Sequence, residues 1–274
     1  MTRSFMRWPG FKLKALTLSY DDGVVFDRKL IEILDKNGIK GTFNINSGLF
    51  APEAGGRRLS RDEAYELYAN SPHEVAVHGV YHLPLDRISA PLIVNDVLND
   101  RIALEGMFGR MIQGMAYAFG TYNDEVVEVL RNCGIAYART VVSTKKFAIP
   151  TDWLRMPATC HHKDPRFEQL TETFLKGNPG PWDTPWLYYV WGHAYEFDAD
   201  NNWELIENAC EKLGGHDDIW YATNMEIYEY VEAYRALHFS VEGQYVYNPS
   251  AIPVWFEYAG VTCKVEPGET KKFR

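Results

Sequence analysis

The chain is poor in cysteine, with four in 274 residues (Cys133, Cys160, Cys210 and Cys263), scattered and forming no CxxC pair. That excludes a disulfide-stapled scaffold and a CxxC-type zinc or redox site, and predicts reduced thiols. Positive charge is also in deficit. With 28 Lys and Arg against 37 Asp and Glu, the formal net charge of -9 argues against nucleic acid or an anionic membrane surface as partner. No apolar run approaches the roughly 20 residues that cross a bilayer. The opening stretch MTRSFMRWPGFKLK has no apolar segment of signal-peptide length, so a cytoplasmic location is expected. Neither GxGxxG nor GxxxxGK[ST] occurs, so no nucleotide site is indicated. There is no internal repeat, low-complexity tract or flexible linker.

What is present suits a sizeable core: 46% hydrophobic and 24% charged residues fit one large α/β domain or two modest ones. Eight Trp and seventeen Tyr suit stacking on sugar faces, although ordinary cores use them as well. From residue 13 a short apolar run, a turn and an amphipathic helix recur. The expected strands are KALTLSY, GTFNINS, HEVAVHG, GMAYAFG, IAYARTVV, WLYYVWGH and DIWYATN. Between them, helices follow from apolar spacing and from caps: Ser60 with Glu63 forms a capping box, and Asn123 precedes DEVVEVLRNCG. A long helix is expected from about Pro91 to Phe108, with Val94, Val97, Leu98, Ile102 and Leu104 as core positions. The proline-rich region 147–185 is irregular apart from one helix at RFEQLTETFLK. Strands alternating with helices imply a parallel sheet, closed into a barrel or open and doubly wound. From about residue 239 the pattern becomes short alternating runs with Gly and Pro turns. The expectation is a domain over 1–238 and a β appendage of three or four strands over 239–274.

Carboxylates and imidazoles collect where the expected strands end. Asp21 and Asp22 close the first strand, His78 the third, with His82 four residues on in HGVYH. His193 closes WLYYVWGH, with Glu196 and Asp198 just beyond. In parallel α/β folds those ends carry function. Two imidazoles and one carboxylate form a three-ligand set for a catalytic divalent ion, which leaves a position for water. A pair of adjacent acids then has a use: one ligates and the other accepts a proton. Taken singly, each feature has an ordinary reading, DDG as a turn and HxxxH as a surface pair.

The motifs LTLSYDDG and HGVYH resemble the first two motifs of the polysaccharide deacetylase family, carbohydrate esterase family 4 or NodB homology domain, over roughly residues 13–238. The resemblance implies an α/β distorted (β/α) barrel of about seven parallel strands and hydrolytic removal of acetyl groups from N-acetylated sugars. It implies Asp22, His78 and His82 as metal ligands, for Zn2+ first and for Co2+, Ni2+ or Mn2+ as alternatives, with Asp21 as general base. The third motif falls on Ala116-Tyr117-Ala118-Phe119, where the Phe119 backbone N–H would hold the oxyanion. The last falls on Trp191-Gly192-His193, making His193 the general acid and Trp191 a wall of the acetyl pocket. Asp152-Trp153 matches the fourth motif, with Asp152 orienting His193 and Trp153 lining the sugar site. Where the family has an arginine beside the base, this sequence has Ala116. Arg139, also expected to face substrate, or Arg155 would supply that charge from another strand. His161 and His162 are read as a surface pair.

The implied partner is an acetylated sugar, with no nucleic acid, no membrane and room for a homo-oligomer. O-acetyl ester hydrolysis, hydrolysis of a cyclic imide or ureide, and silent sugar binding are the alternatives.

Overall fold

The structure is a computed structural model and describes residues 4–53, 55–180 and 182–273. In chain order the elements are β1 (Ser4–Arg7), β2 (Lys14–Asp21), α1 (Asp27–Lys36), β3 (Gly41–Ile45), α2 (Arg61–Tyr68), β4 (Glu74–Val77), α3 (Ala90–Phe108), β5 (Gly114–Ala116), α4 (Asp124–Asn132) and β6 (Tyr137–Ser143). Then come β7 (Met156–Ala158), β8 (Cys160–His161), α5 (Phe167–Lys176), β9 (Trp186–Gly192), α6 (Ala194–Ala199), α7 (Glu204–Leu213), β10 (Ile219–Tyr221) and α8 (Asn224–Arg235). Five short strands close the chain: β11 (His238–Phe239), β12 (Tyr245–Tyr247), β13 (Val254–Tyr258), β14 (Val261–Val265) and β15 (Thr270–Lys272).

The main sheet runs β7-β6-β5-β4-β3-β2-β9-β8, with β10 also on β2, and its pairings are parallel. It holds nine strands, where the sequence predicts about seven. The added pair, β7 and β8, lies in the proline-rich stretch. β7 pairs with β6 at one end of the path and β8 with β9 at the other. Thr159 between them donates its N–H to Tyr189 O at 2.8 Å, so the chain crosses from one end to the other without a regular ladder. The fold is a distorted barrel left open at that point.

β2 explains how the sheet serves a site. It is buried throughout, yet its residues alternate in chemistry, as a pleated strand's two faces require. Leu16, Leu18 and Tyr20 join the apolar cluster built with the outer helices. Thr17, Ser19 and Asp21 face a polar axis: Thr17 donates to Asn224 at 2.9 Å, and Asn44 Nδ2 donates to Ser19 and to Asp21 Oδ1, each at 2.8 Å. A second cluster, including Trp8, Tyr137, Trp153, Tyr189, Trp191 and Tyr230, lies on the Ala15 side.

Ser60 with Glu63 forms the expected capping box on α2, and Asn123 caps α4 through the Val126 N–H. The expected core face of α3 is corrected. Val94 and Ile102 are exposed, whereas Ile93, Asp96, Val97, Asp100, Leu104 and Met107 are buried. Two of the buried positions are carboxylates that fasten loops, so apolar spacing alone misplaces the face.

The C-terminal residues form five strands, more than the three or four expected, in two three-stranded sheets: β11-β12-β15, and β13-β14 joined by β1. All four cysteines are free and buried. Among the described residues no helix is long and apolar enough to cross a membrane.

Candidate active site

At the end of β2, Asp22 takes a left-handed φ of 86°, which an Asp adopts only at a cost. That turn breaks the strand's alternation and swings the Asp22 side chain to the strand-end face occupied by two imidazoles. His78 follows β4, and Asp100 of α3 fixes it by accepting the His78 N–H at 3.0 Å and the Ser47 N–H at 2.7 Å. Asp96, one turn earlier, accepts the Tyr81 N–H at 3.1 Å. Gly79 has φ 78°, and a Cβ there would lie 2.3 Å from Asp96 Oδ2, so only glycine lets the loop pass this acid and return His82 to the site.

Asp22 Oδ1 lies 3.9 Å from His78 Nε2 and 3.6 Å from His82 Nε2. The three donor atoms all fall within 4.8 Å of one another. His78 Nδ1–H donates to Ala116 O at 2.8 Å, which leaves the Nε2 lone pair aimed at the cluster. That nitrogen is buried and has no protein partner. Burial also lowers the His78 pKa and keeps the ring in its neutral, ligating form. An orphaned imidazole nitrogen, a second imidazole and a carboxylate fit a divalent ion of the zinc type. One neighbour was not anticipated. Arg58 donates to Asp22 O and reaches Asp22 Oδ1 at 3.4 Å. It follows the loop after β3, and no local sequence signal pointed to it.

Asp21 stands beside this cluster without belonging to it. Its Oδ2 lies 4.0 Å from His78 Nε2 and 3.9 Å from His193 Nε2. Arg139, wholly buried, donates to that same oxygen while its guanidinium lies 4.3 Å over the Trp191 ring. Burial would raise the Asp21 pKa, but Arg139 and the two imidazoles outweigh it and hold the carboxyl below its ordinary value. Arg139 is the parallel-register partner of Ala116. The charge missing at Ala116 therefore arrives from the adjacent strand at the matching level. The alternative source, Arg155, pairs instead with Asp152 at 2.7 Å and with Asp124 at 2.6 Å.

Several expectations need correction. Arg139 does not face substrate, because it is sealed beneath the site. Asp152 does not orient His193. It is exposed, caps the turn at Leu154 N and binds Arg155. His193 Nδ1 instead meets Glu196 Oε2 at 3.1 Å. Trp153 is buried in the second apolar cluster and donates Nε1–H to Glu232 at 2.7 Å, so it packs the core and does not line a sugar site. His161 and His162 are not a surface pair: His162 is 1% exposed, and both approach Glu196. Trp191 is buried between Arg139 and His161 (ring centroids 4.4 Å), near the His193 ring at 5.9 Å. Phe119 has φ 58° and an exposed side chain whose ring stands edge-on to the His82 ring at 4.4 Å.

Comparison with known proteins bears on the fold. Residues 10–138 match the family model described as polysaccharide deacetylase. No curated protein sequence matches the chain. Among solved structures, a protein from Mycobacterium smegmatis described as a putative polysaccharide deacetylase is 15% identical, with 86% of this chain and 96% of that one covered at a TM-score of 0.59. The chitin deacetylase of Colletotrichum lindemuthianum is 17% identical over 81% and 89% of the two chains, at 0.54. A Bacillus anthracis protein described as a CE4 family pseudoenzyme is 15% identical over 82% and 68%, at 0.50. Other matches are partial: the chain spans 55% of the length of a Streptococcus pyogenes deacetylase. Residues 10–138 are thus similar to polysaccharide deacetylases, and the solved structures share the distorted-barrel fold of this chain.

Proposed function

We propose that the chain is a divalent-metal-dependent hydrolase that removes the acetyl group from an N-acetylated sugar. The observation that carries this reading is the pairing of two unlike neighbours. Asp22, His78 and His82 converge around an orphaned imidazole nitrogen, while Asp21 beside them is held ionised by Arg139 and left out of the set. Asp22, His78 and His82 would hold the ion, which when bound supplies Lewis acidity and makes water a stronger acid. Asp21 then accepts the proton of the attacking water. The Phe119 N–H helps to hold the oxyanion, and His193 gives a proton to the departing nitrogen. His193 is suited to that step. Burial would lower its pKa, but the hydrogen bond to Glu196 and the charges of Asp21 and Glu196 raise it above the ordinary value.

One observation favours a second reading, a silent sugar-binding protein: the Arg58 guanidinium competes with a cation for Asp22. Metal content measured with acetate release separates the two, using N-acetyl and O-acetyl sugars in parallel. The hydrolase reading expects His78→Ala to lose the ion and all turnover, and Asp21→Asn to keep the ion and lose turnover. Full activity in Asp21→Asn overturns the role of Asp21, and no acetate release by the zinc-loaded chain on either substrate class overturns the enzyme.

A further inference from the structure

Glu196, at the third residue of α6, offers one oxygen to donors from several directions. Its Oε2 accepts the His193 backbone N–H at 3.2 Å and the His193 Nδ1–H at 3.1 Å. His161 Nε2 lies 3.1 Å from the same oxygen and His162 Nε2 3.4 Å from it. Two imidazoles and a carboxylate this close resemble a second cation site. The tautomers argue otherwise. The Lys163 backbone N–H donates to His161 Nδ1 at 3.0 Å, so Nδ1 bears the lone pair and the ring hydrogen sits on Nε2, toward Glu196. A ligating imidazole needs the reverse arrangement. His162 is locked between Tyr20 and Phe197, with ring centroids at 5.8 and 4.1 Å, and its Nδ1 is pressed so close to Gly192 that a Cβ there would lie 2.0 Å away.

The geometry points to Glu196 as the positioning residue of His193, itself held in place by His161 from β8. This inference rests on the reading of His193 as the general acid, and departs from it in the source of the orienting carboxylate: it comes from the turn His193 itself begins, not from Asp152. The Nδ1–H bond fixes the ring so that Nε2 points toward Asp21. When the Nε2 proton passes to the leaving nitrogen, an N–H bond forms there and the ring becomes neutral. Nδ1–H stays on Glu196, which remains ionised throughout. The other charged or titratable groups around His193 are Asp21 and Asp22 of the β2 end, His161 and His162, and Tyr195 with its ring centroid at 5.1 Å. Lys163 reaches Glu196 Oε1 only at 3.9 Å, because Asp200 binds it at 2.6 Å. Burial would raise the Glu196 pKa, but the hydrogen bonds from His161 and His193 hold it well below the carboxylate range.

The test follows the His193 ring by NMR across pH in the zinc-loaded chain, with kinetics and metal content measured on the same samples. Glu196→Gln is expected to lower the His193 midpoint by about 1–3 units. It should also cut kcat by about 10–100-fold, part of the general-acid contribution, with KM nearly unchanged. His161→Gln, which removes a partner without touching His193, should act in the same direction and less. Asp152→Asn should leave the midpoint alone, and metal content should be equal in all four proteins. The proposal is overturned if the midpoint stays put in both Glu196→Gln and His161→Gln, or if Asp152→Asn moves it as far. It is overturned equally if both variants shed an ion that the wild type holds beyond the one at Asp22, His78 and His82. Ring titration needs no turnover, so a failed hydrolase reading would show separately, as absent acetate release with the His193 shift intact.

Discussion

Replacing Arg139 by methionine isolates the contact that keeps Asp21 ionised. Methionine retains an apolar stem over Trp191 and removes the guanidinium, leaving a carboxylate that is 3% exposed with Asn44 as its remaining side-chain donor. Removing one member of a buried ion pair costs about 3–5 kcal/mol, because the other charge is left without compensation. An unfolding entropy of about 2.1 cal/mol/K per residue over 274 residues gives roughly 0.6 kcal/mol/K, so Tm should fall by about 5–9 °C. Relieving the stranded charge should recover most of this, so Asp21→Asn combined with Arg139→Met should melt well above Arg139→Met alone. The loss should also shrink in acid, since without Arg139 the Asp21 pKa rises and protonation removes the buried charge. Calorimetry at pH 7 and pH 5 on the wild type and the two variants measures all of this. A penalty below about 1 kcal/mol, the scale of an exposed pair, or a double variant no more stable than the single one, refutes the account.

Because Ala116 and Arg139 are register partners, Ala116→Arg combined with Arg139→Ala should regain stability lost by Arg139→Ala, as read by Tm. No recovery would mean that the guanidinium cannot reach Asp21 from β5. Phe119→Ala should keep most turnover, because the proposed donor is main chain. A loss near the ~10²–10³-fold typical of a missing oxyanion donor would assign the function to the ring. Asp27 is wholly buried, and burial raises its pKa to about 8 despite the bonds from Tyr68 and Val24. Its contribution to stability is therefore full below its ordinary value of 3.8 and is lost as pH rises through about 8, at about 1.4 kcal/mol per unit in between. Asp27→Asn should flatten the fall in Tm between pH 5 and pH 8; parallel curves for the two proteins would contradict this.

The strand-end acids and imidazoles were legible because their signals are local. DDG and HGVYH each carry their ligand types within a few residues, and period-2 chemistry in LTLSYD separates core from axis. The helices and caps were legible for the same reason. What was missed depends on distance in the chain. Arg58, which reaches Asp22 through a loop, had no local signal, whereas Arg139 was one of two expected sources of the charge beside Asp21 and is selected over Arg155 because β6 lies level with β5. Glu196 stands three residues from His193 in the sequence, but its bond to His161 depends on β8 folding against that turn. The buried face of α3 was misread because Asp96 and Asp100 do structural work there, holding the loops that present both imidazoles. Asp152-Trp153 matches by identity alone: Asp152 caps the turn at Leu154 and binds Arg155, while Trp153 packs the second apolar cluster.

The pairing of β1 with β13 joins Ser4 to Tyr258 and Arg7 to Trp255. During synthesis β1 must therefore wait for a partner made far later in the chain. Until then its backbone donors and acceptors are a free edge, available to any passing strand. Removing Ser4–Arg7 would bare the same edge on β13, so losing these four residues should promote sticking between molecules well before it dulls any chemistry.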